Sequence, residues 1–322
     1  MAPQQPTAVT PAPGAPRPGD GSRSRDAAGP TPRDSRALAL VEAMRPAQWT
    51  KNAFVLAGLI FSASFTDADA VLRTAVAFVA FCLASSATYL LNDAFDAETD
   101  RNNPRTAGRP IARGALSRRT GFTASAVFAV AALAMVAPLN WETPAVVGGY
   151  LVLQVAYSMG LKHLVLLDVL AVSLGFVLRA LAGAVAIPVV ISEWLLLCTG
   201  LLALFLALAK RRGELLALGP GAGTRRVLDD YTPELVEQLI TITAPITVIA
   251  YAIYCVTAAS TPAMAITLPF VLYGLFRYLF LAQRRGVGEE PGTAALHDRP
   301  LGLAVVLWGI TAGVITAIAG AA

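Results

Sequence analysis

Hydrophobic residues run along this chain in long blocks, and beyond about residue 52 the polar connections between them are short. Nine apolar runs are legible, at about 52–66, 71–92, 120–139, 144–160, 163–187, 190–209, 234–258, 263–282 and 301–321. Most reach or approach the ~20 apolar residues that a helix needs to cross a bilayer. The pattern predicts an all-α polytopic membrane protein, a bundle of nine transmembrane helices over 37–322. Ahead of the first run, Ala37 to Trp49 places apolar residues at near-helical spacing and closes on Arg45, Pro46, Gln48 and Trp49. That predicts an interfacial helix with Trp49 at headgroup depth. Residues 1–36 hold eight of the 21 prolines among Ala, Gly, Ser, Arg and Asp, too little apolar surface to fold, and are expected to be a disordered tail. No apolar stretch of the signal-peptide kind occurs before Lys51.

Composition agrees with the pattern. Of 322 residues 56% are hydrophobic and 14% charged, against roughly 25% charged in soluble globular proteins. The three cysteines, Cys82, Cys198 and Cys255, lie inside apolar runs without CxxC spacing, so they read as small hydrophobes. Two histidines, His163 and His297, make a His-based zinc site improbable. Charge sets the orientation. Of the 25 basic residues, 22 fall in the tail and in alternate connections, while the opposite connections are almost empty but for nearby Arg73. By the positive-inside rule the N-terminus is expected in the cytoplasm of a multi-pass plasma-membrane protein, and the C-terminus outside.

The cytoplasmic ends carry the candidate chemistry. Asn92-Asp93-Ala94-Phe95-Asp96-Ala97-Glu98-Thr99-Asp100 follows the second run directly and leads into an Arg-rich stretch, Arg101 to Arg119. Spacings of three and four predict all three aspartates on one helix face. Stacked like charges repel, and a Mg²⁺ carrying a diphosphate relieves them, because Mg²⁺ takes hard oxygen ligands and shares them with substrate phosphates. A solvated acidic helix end is the plainer alternative. Soluble phosphorylated metabolites reach this face, and nothing in the pattern points to nucleic acid.

Tyr89-Leu-Leu-Asn92-Asp93-x-x-Asp96-x-x-x-Asp100-Arg101, with Arg105, Gly108-Arg109-Pro110 and Gly114, resembles the first aspartate motif of the UbiA superfamily. The resemblance implies a nine-helix intramembrane transferase in which Asn92, Asp93, Asp96 and Asp100 hold Mg²⁺ and a diphosphate. Arg101, Arg105 and Arg109 would reach the same phosphates, a role suited to the bidentate guanidinium. Arg113, Arg118 and Arg119 serve topology or anionic lipid equally well.

The departure from the superfamily pattern lies between the sixth and seventh runs. Members that prenylate aromatic rings carry a second aspartate motif there; this chain reads Ala209-Lys210-Arg211-Arg212-Gly213-Glu214. A cationic segment with one Glu suits a bare phosphate better than a second Mg²⁺. Together with Arg45-Pro46-x-Gln48-Trp49-x-Lys51-Asn52, Tyr157-Ser158-x-x-Leu161-Lys162 and Asp168-Val169, this resembles one branch, the decaprenyl-phosphate phosphoribosyltransferases, over residues 40–322. The resemblance implies a soluble donor, phosphoribosyl diphosphate, and a long-chain polyprenyl phosphate acceptor held among the spans. The product would feed arabinose donors of the cell envelope, as in arabinogalactan. It leaves a homo-oligomer open.

Lys51, Arg45, Tyr157, Lys162 and Asp168 join Lys210, Arg211, Arg212 and Glu214 as candidate substrate contacts. Tyr157 and Lys162 depart from the superfamily's YxxxK spacing by one residue. Arg179, deep in the fifth run, is expected outside the site, snorkelling or paired with Glu193. Asp229, Asp230 and Tyr231 suit a lid or a solvated turn, and His297-Asp298-Arg299-Pro300 a phosphate contact or a capped helix start. Two rivals stand beside this reading. One is a prenyltransferase moving a prenyl group from prenyl diphosphate to an aromatic acceptor, disfavoured by the 210–214 segment. The other is a transporter, disfavoured because the acids gather at one interface.

Overall fold

The computed structural model describes residues 36–187, 189–190, 192–218, 226–285, 294–295 and 297–321. The Pro-rich tail predicted over 1–36 lies outside them except for Arg36, which opens α1 (Arg36–Met44). A 3-10 segment, Pro46–Leu56, leads to the short α2 (Ala57–Phe61). Then follow α3 (Ala68–Phe95), α4 (Ala97–Arg101), α5 (Arg118–Val136), α6 (Glu142–Met159) and α7 (Leu167–Ala186). The chain continues through α8 (Glu193–Leu218), α9 (Arg226–Asp229), α10 (Pro233–Thr257), α11 (Leu268–Arg285) and α12 (Arg299–Ala321).

The helices start where side chains can cap them. Asp67 accepts from Asp69 N–H at the head of α3, Ser117 from Thr120 in α5, and Thr232 from Leu235 in α10, where Pro233 fits the first turn. In α3 the buried face is built of small residues, with Ala77, Ala80, Ala84, Ser85, Ala87 and Thr88 around Phe81 and Leu90. Small side chains let backbones approach where lipid supplies no hydrophobic drive. Accordingly α3 packs against α5, α6 and α7, and the bundle continues round through α8, α10, α11 and α12.

Among the described residues seven helices are long and apolar enough to cross a membrane. Eight of the nine predicted runs coincide with a long helix, although α6, which carries Glu142 and Gln154, is not among the seven. The first run, 52–66, departs most. It is a 3-10 segment, the five-residue α2 and a second 3-10 turn, Ser64–Thr66, after Ala63 at φ 56°. Its packing accounts for the shape. A Cβ on Gly183 of α7 would fall 1.8 Å from the Val55 carbonyl oxygen, and one on Gly58 2.8 Å from Ala184 Cα. The segment lies backbone against backbone on α7. The predicted interfacial helix also ends early, at Met44, and Trp49 turns its indole N–H to Ser86 Oγ (3.1 Å) on α3.

Candidate active site

The carboxyl ends of α3, α6 and α8 and the amino ends of α7 and α10 meet at one end of the bundle, and the polar side chains singled out in the sequence gather there. A buried cluster of Ala39, Ala43, Leu90, Ala94, Ala97, Ile111 and Leu116 fastens α1 and the loop after α4 over the end of α3.

Helix α3 bends at Asp96 (φ −88°, ψ 5°), yet helical bonding continues, with Asp96 N–H on Asn92 C=O at 2.9 Å and Asp100 N–H on Asp96 C=O at 2.8 Å. Along that helix Asp93 and Asp100, seven apart, stand on one line, and Asn92 and Asp96, four apart, on the adjoining one. The predicted single stack of three aspartates is therefore divided. Arg109 Nη1 bridges Asp93 Oδ1 (3.3 Å) and Asp100 Oδ2 (2.7 Å). Lys162 Nζ sits on both oxygens of Asp96 (2.6 and 2.7 Å) and on Asn92 Oδ1 (3.3 Å). Arg45 supplies a third cation, Nη2 to Asp93 Oδ1 at 2.6 Å, with its guanidinium 4.9 Å above the Tyr89 ring. To reach it, Arg45 takes a left-handed backbone (φ 54°, ψ 63°), strain of a kind that gathers at functional sites.

The other predicted arginines differ in role. Arg101 Nε bonds Ala112 C=O (3.0 Å) and shapes the loop, and Arg105 is exposed. Arg113 pairs with Glu42 of α1 (2.8 Å), Arg118 with Glu98 (3.2 Å), and Arg119 is exposed. Lys51 is half-buried on the 3-10 segment.

At the same end of the bundle, the segment expected to be a cationic phosphate site with a single Glu is an ion-pair cluster. Arg211 Nε meets Asp168 Oδ2 at 2.7 Å, both side chains buried, and Arg211 also holds Glu214. Tyr157 lies within electrostatic reach of Arg211. Tyr231 donates its hydroxyl to Asp168 Oδ1 (2.7 Å) and accepts from Leu166 N–H (2.8 Å). Burial, and then its bond to the Asp168 carboxylate, push the Tyr231 phenol well above its ordinary range, so it remains a donor. Arg212 pairs with Glu237 of α10 and bonds Ala282 C=O (3.3 Å); Lys210 is half-buried. Asp230 is exposed, and the side chain of Asp229 lies outside the described residues.

The partners of two buried or half-buried arginines were not legible in the sequence. Arg179 is buried on α7 without Glu193; its partners are Asn52 Oδ1 (2.9 Å), Gly175 C=O (3.0 Å) and Tyr150 Oη (2.9 Å). Arg277 of α11 grips Asp298 (2.9 Å), which also caps α12 through Leu301 N–H (2.9 Å), so Asp298 serves the helix start; His297 is exposed. A lone Arg inside each apolar run was the available signal.

Whether these residues suit a divalent cation turns on Asp93. Its side chain is 1% exposed, and its Oδ2 is buried with no hydrogen-bond partner among the described residues. An orphaned carboxylate oxygen at that depth is costly and is the donor a hard cation takes. No three acids converge on one point among the described residues. One or two carboxylates with substrate phosphates completing the shell is how Mg²⁺ is commonly held, so Asp93 and Asp100 fit, with Asp96 and Asn92 beside them.

Comparison with known proteins shows the family and the fold. The profile of the UbiA prenyltransferase family matches residues 52–297. The decaprenyl-phosphate phosphoribosyltransferase of Mycolicibacterium smegmatis is 36% identical over 286 residues, 84% of this chain and 89% of that one. The enzyme of the same name from Corynebacterium glutamicum is 35% identical over 280 residues, 84% of each chain. Among solved structures, a UbiA homologue from Archaeoglobus fulgidus bound to DMAPP and Mg²⁺ superposes with a TM-score of 0.69 at 19% identity, covering 88% of this chain and 99% of that one.

Proposed function

The chain belongs to the UbiA prenyltransferase family, and from that membership we propose that it transfers the 5-phosphoribosyl group of phosphoribosyl diphosphate to a polyprenyl phosphate, decaprenyl phosphate by likeness to its relatives. The products are polyprenyl-phosphoryl-ribose 5-phosphate and diphosphate. The observation that carries the reading is the asymmetry of the site. Asp93, Asp96 and Asp100 form one side, and the other, built on Arg211 with Asp168 and Glu214, has an arginine where, by the resemblance, ring-prenylating members carry aspartates. A donor with both a diphosphate and a further phosphate matches that asymmetry better than a prenyl diphosphate does.

In the reaction the anomeric C–O bond to diphosphate breaks as a lipid phosphate oxygen bonds to the same carbon. Charge develops on the departing diphosphate, and Arg45, Arg109 and Lys162, which pair with Asp93, Asp100 and Asp96, would turn N–H donors to its oxygens. A Mg²⁺ held by Asp93 and Asp100 would supply the remaining charge neutralisation. The nucleophile is already anionic at neutral pH, so no strong general base is required. Nine spans, with the first interrupted, a cytoplasmic N-terminus and a site opening to the cytoplasm through the plasma membrane complete the reading. Supporting it are the basic residues crowded at the Asp-bearing end. The product would serve the arabinan of the cell envelope.

A doubly labelled donor tests the transfer. Ribose label should enter the butanol-soluble lipid while β-phosphorus label leaves as diphosphate, and direct displacement should invert the anomeric centre, as read by NMR. Phosphorus from the diphosphate appearing in the lipid would refute the assigned bond cleavage.

A further inference from the structure

Arg179 stands 12 residues along α7 from Leu167, about 18 Å by helical rise, inside a segment apolar enough to span the membrane. It is buried, and no carboxylate lies within ion-pairing distance of it among the described residues. An arginine at that depth is expensive, and an aliphatic side chain would fill the space without the cost. What the guanidinium does there is tie three elements with one planar fork. It bonds Gly175 C=O on its own helix, Tyr150 Oη on α6 and Asn52 Oδ1 on the 3-10 segment, with its face against Tyr150 (4.8 Å) and Phe176 (5.1 Å).

Asn52 is the joint that passes this on. It is fully buried, and its amide group donates to Ser85 Oγ (3.3 Å) and Cys82 Sγ (3.4 Å) on α3. One turn back along the segment, the Trp49 indole bonds Ser86 Oγ, which in turn lies 3.1 Å from Met44 C=O. The next residue is Arg45, strained into the left-handed region and set on Asp93. Cys82, Ser85, Ser86, Tyr89 and Asp93 run along one side of α3 at helical spacing, so the contacts from Arg179 to Arg45 climb the same side that ends in Asp93. A steric joint reinforces the polar one: Gly183, one turn beyond Arg179, admits the Val55 carbonyl, one turn beyond Asn52.

We propose that Arg179 is a positioning residue for the donor diphosphate: through Asn52 it fixes the 3-10 segment so that Arg45 faces the phosphates held at Asp93. The inference rests on the reading of Asp93 as the metal–diphosphate side of the site. Lysine cannot replace it, because an ammonium has neither the fork nor the flat face.

The test is binding of Mg²⁺–phosphoribosyl diphosphate to the purified full chain, followed calorimetrically for wild type, Arg179→Gln, Arg45→Ala and the double variant. Losing a hydrogen bond to a charged group weakens binding by roughly 10- to 100-fold, so Arg179→Gln should weaken donor binding by about that much. The double variant should bind no more weakly than Arg45→Ala alone, because both changes remove one interaction. Arg179→Lys should not restore binding, and the KM for polyprenyl phosphate should hardly move. Wild-type donor binding in Arg179→Gln, or losses that multiply in the double variant, would overturn the proposal. Should Arg179→Gln not fold, Asn52→Ala carries the same cycle with the same outcomes. A wild-type protein that binds no donor would instead sink the reading of the site on which this rests.

Discussion

Gly183→Ala offers the sharpest structural test of how the site is held. The added Cβ would lie 1.8 Å from the Val55 oxygen and 2.7 Å from its carbonyl carbon, where real Cβ atoms essentially never come within 3.0 Å. Both surfaces are backbone, so no rotamer change relieves the clash. The 3-10 segment must withdraw by about 1.2 Å, or α7 must yield. Overpacking of this kind costs ~1–3 kcal/mol and sometimes more. The withdrawal also stretches the Arg179–Asn52 bond and shifts Arg45, for which about a 10²-fold loss of turnover is expected. The assay pairs a thermal scan of detergent-purified protein, at one fixed rate, with initial rates. Gly149→Ala serves as control, since a Cβ there meets nothing within 4 Å. A Gly183→Ala protein with the melting temperature and turnover of wild type would refute the seating of residues 46–58 on α7.

Asp93→Asn should abolish measurable turnover, a loss of about 10³-fold or more, and remove Mg²⁺-dependent donor binding while the helical circular dichroism is kept. Arg211→Ala leaves Asp168 buried without its cation and should destabilise by ~3–5 kcal/mol, whereas Asp168→Asn with Arg211→Met should recover most of the melting temperature. Tyr231→Phe leaves an oxygen of Asp168 short of a donor and should cost about 1–3 kcal/mol. Because the folded phenol titrates above its unfolded value near 10, the stability it contributes is present below pH 10 and fades only as pH rises beyond it. The cost should therefore be equal at pH 6 and pH 9, and a cost that varied between them would contradict the assignment. Lys162→Ala should raise the KM for the sugar donor more than that for the lipid, measured by varying each at saturating levels of the other.

The helices were legible because lipid imposes long apolar runs, and the acidic motif because charged residues ending such a run are rare. The course of residues 46–66 was hidden. Hydropathy counts side chains, and this segment is shaped by an absent one, the Cβ of Gly183 under Val55. Spacing placed the aspartates near one another but could not say that a bend at Asp96 gives Asp93 and Asp100 to Arg109 and Asp96 to Lys162. Likewise Lys210-Arg211-Arg212 reads as a cationic phosphate site until the fold brings in Asp168 and Glu237 from 43 and 25 residues away. Partners that distant leave no local trace. Arg179 was visible as an anomaly, and only the structure supplies Asn52, 127 residues earlier, as its partner.

Donor choice is the central claim, and a direct comparison of kcat/KM tests it. The purified chain with Mg²⁺ would be given phosphoribosyl diphosphate and polyprenyl phosphate in one series, and a prenyl diphosphate with an aromatic acceptor such as 4-hydroxybenzoate in the other. The account predicts ribosylated lipid in the first series and no prenylated ring in the second. Turnover of the prenyl diphosphate, with no label passing from the sugar to the lipid, would contradict it.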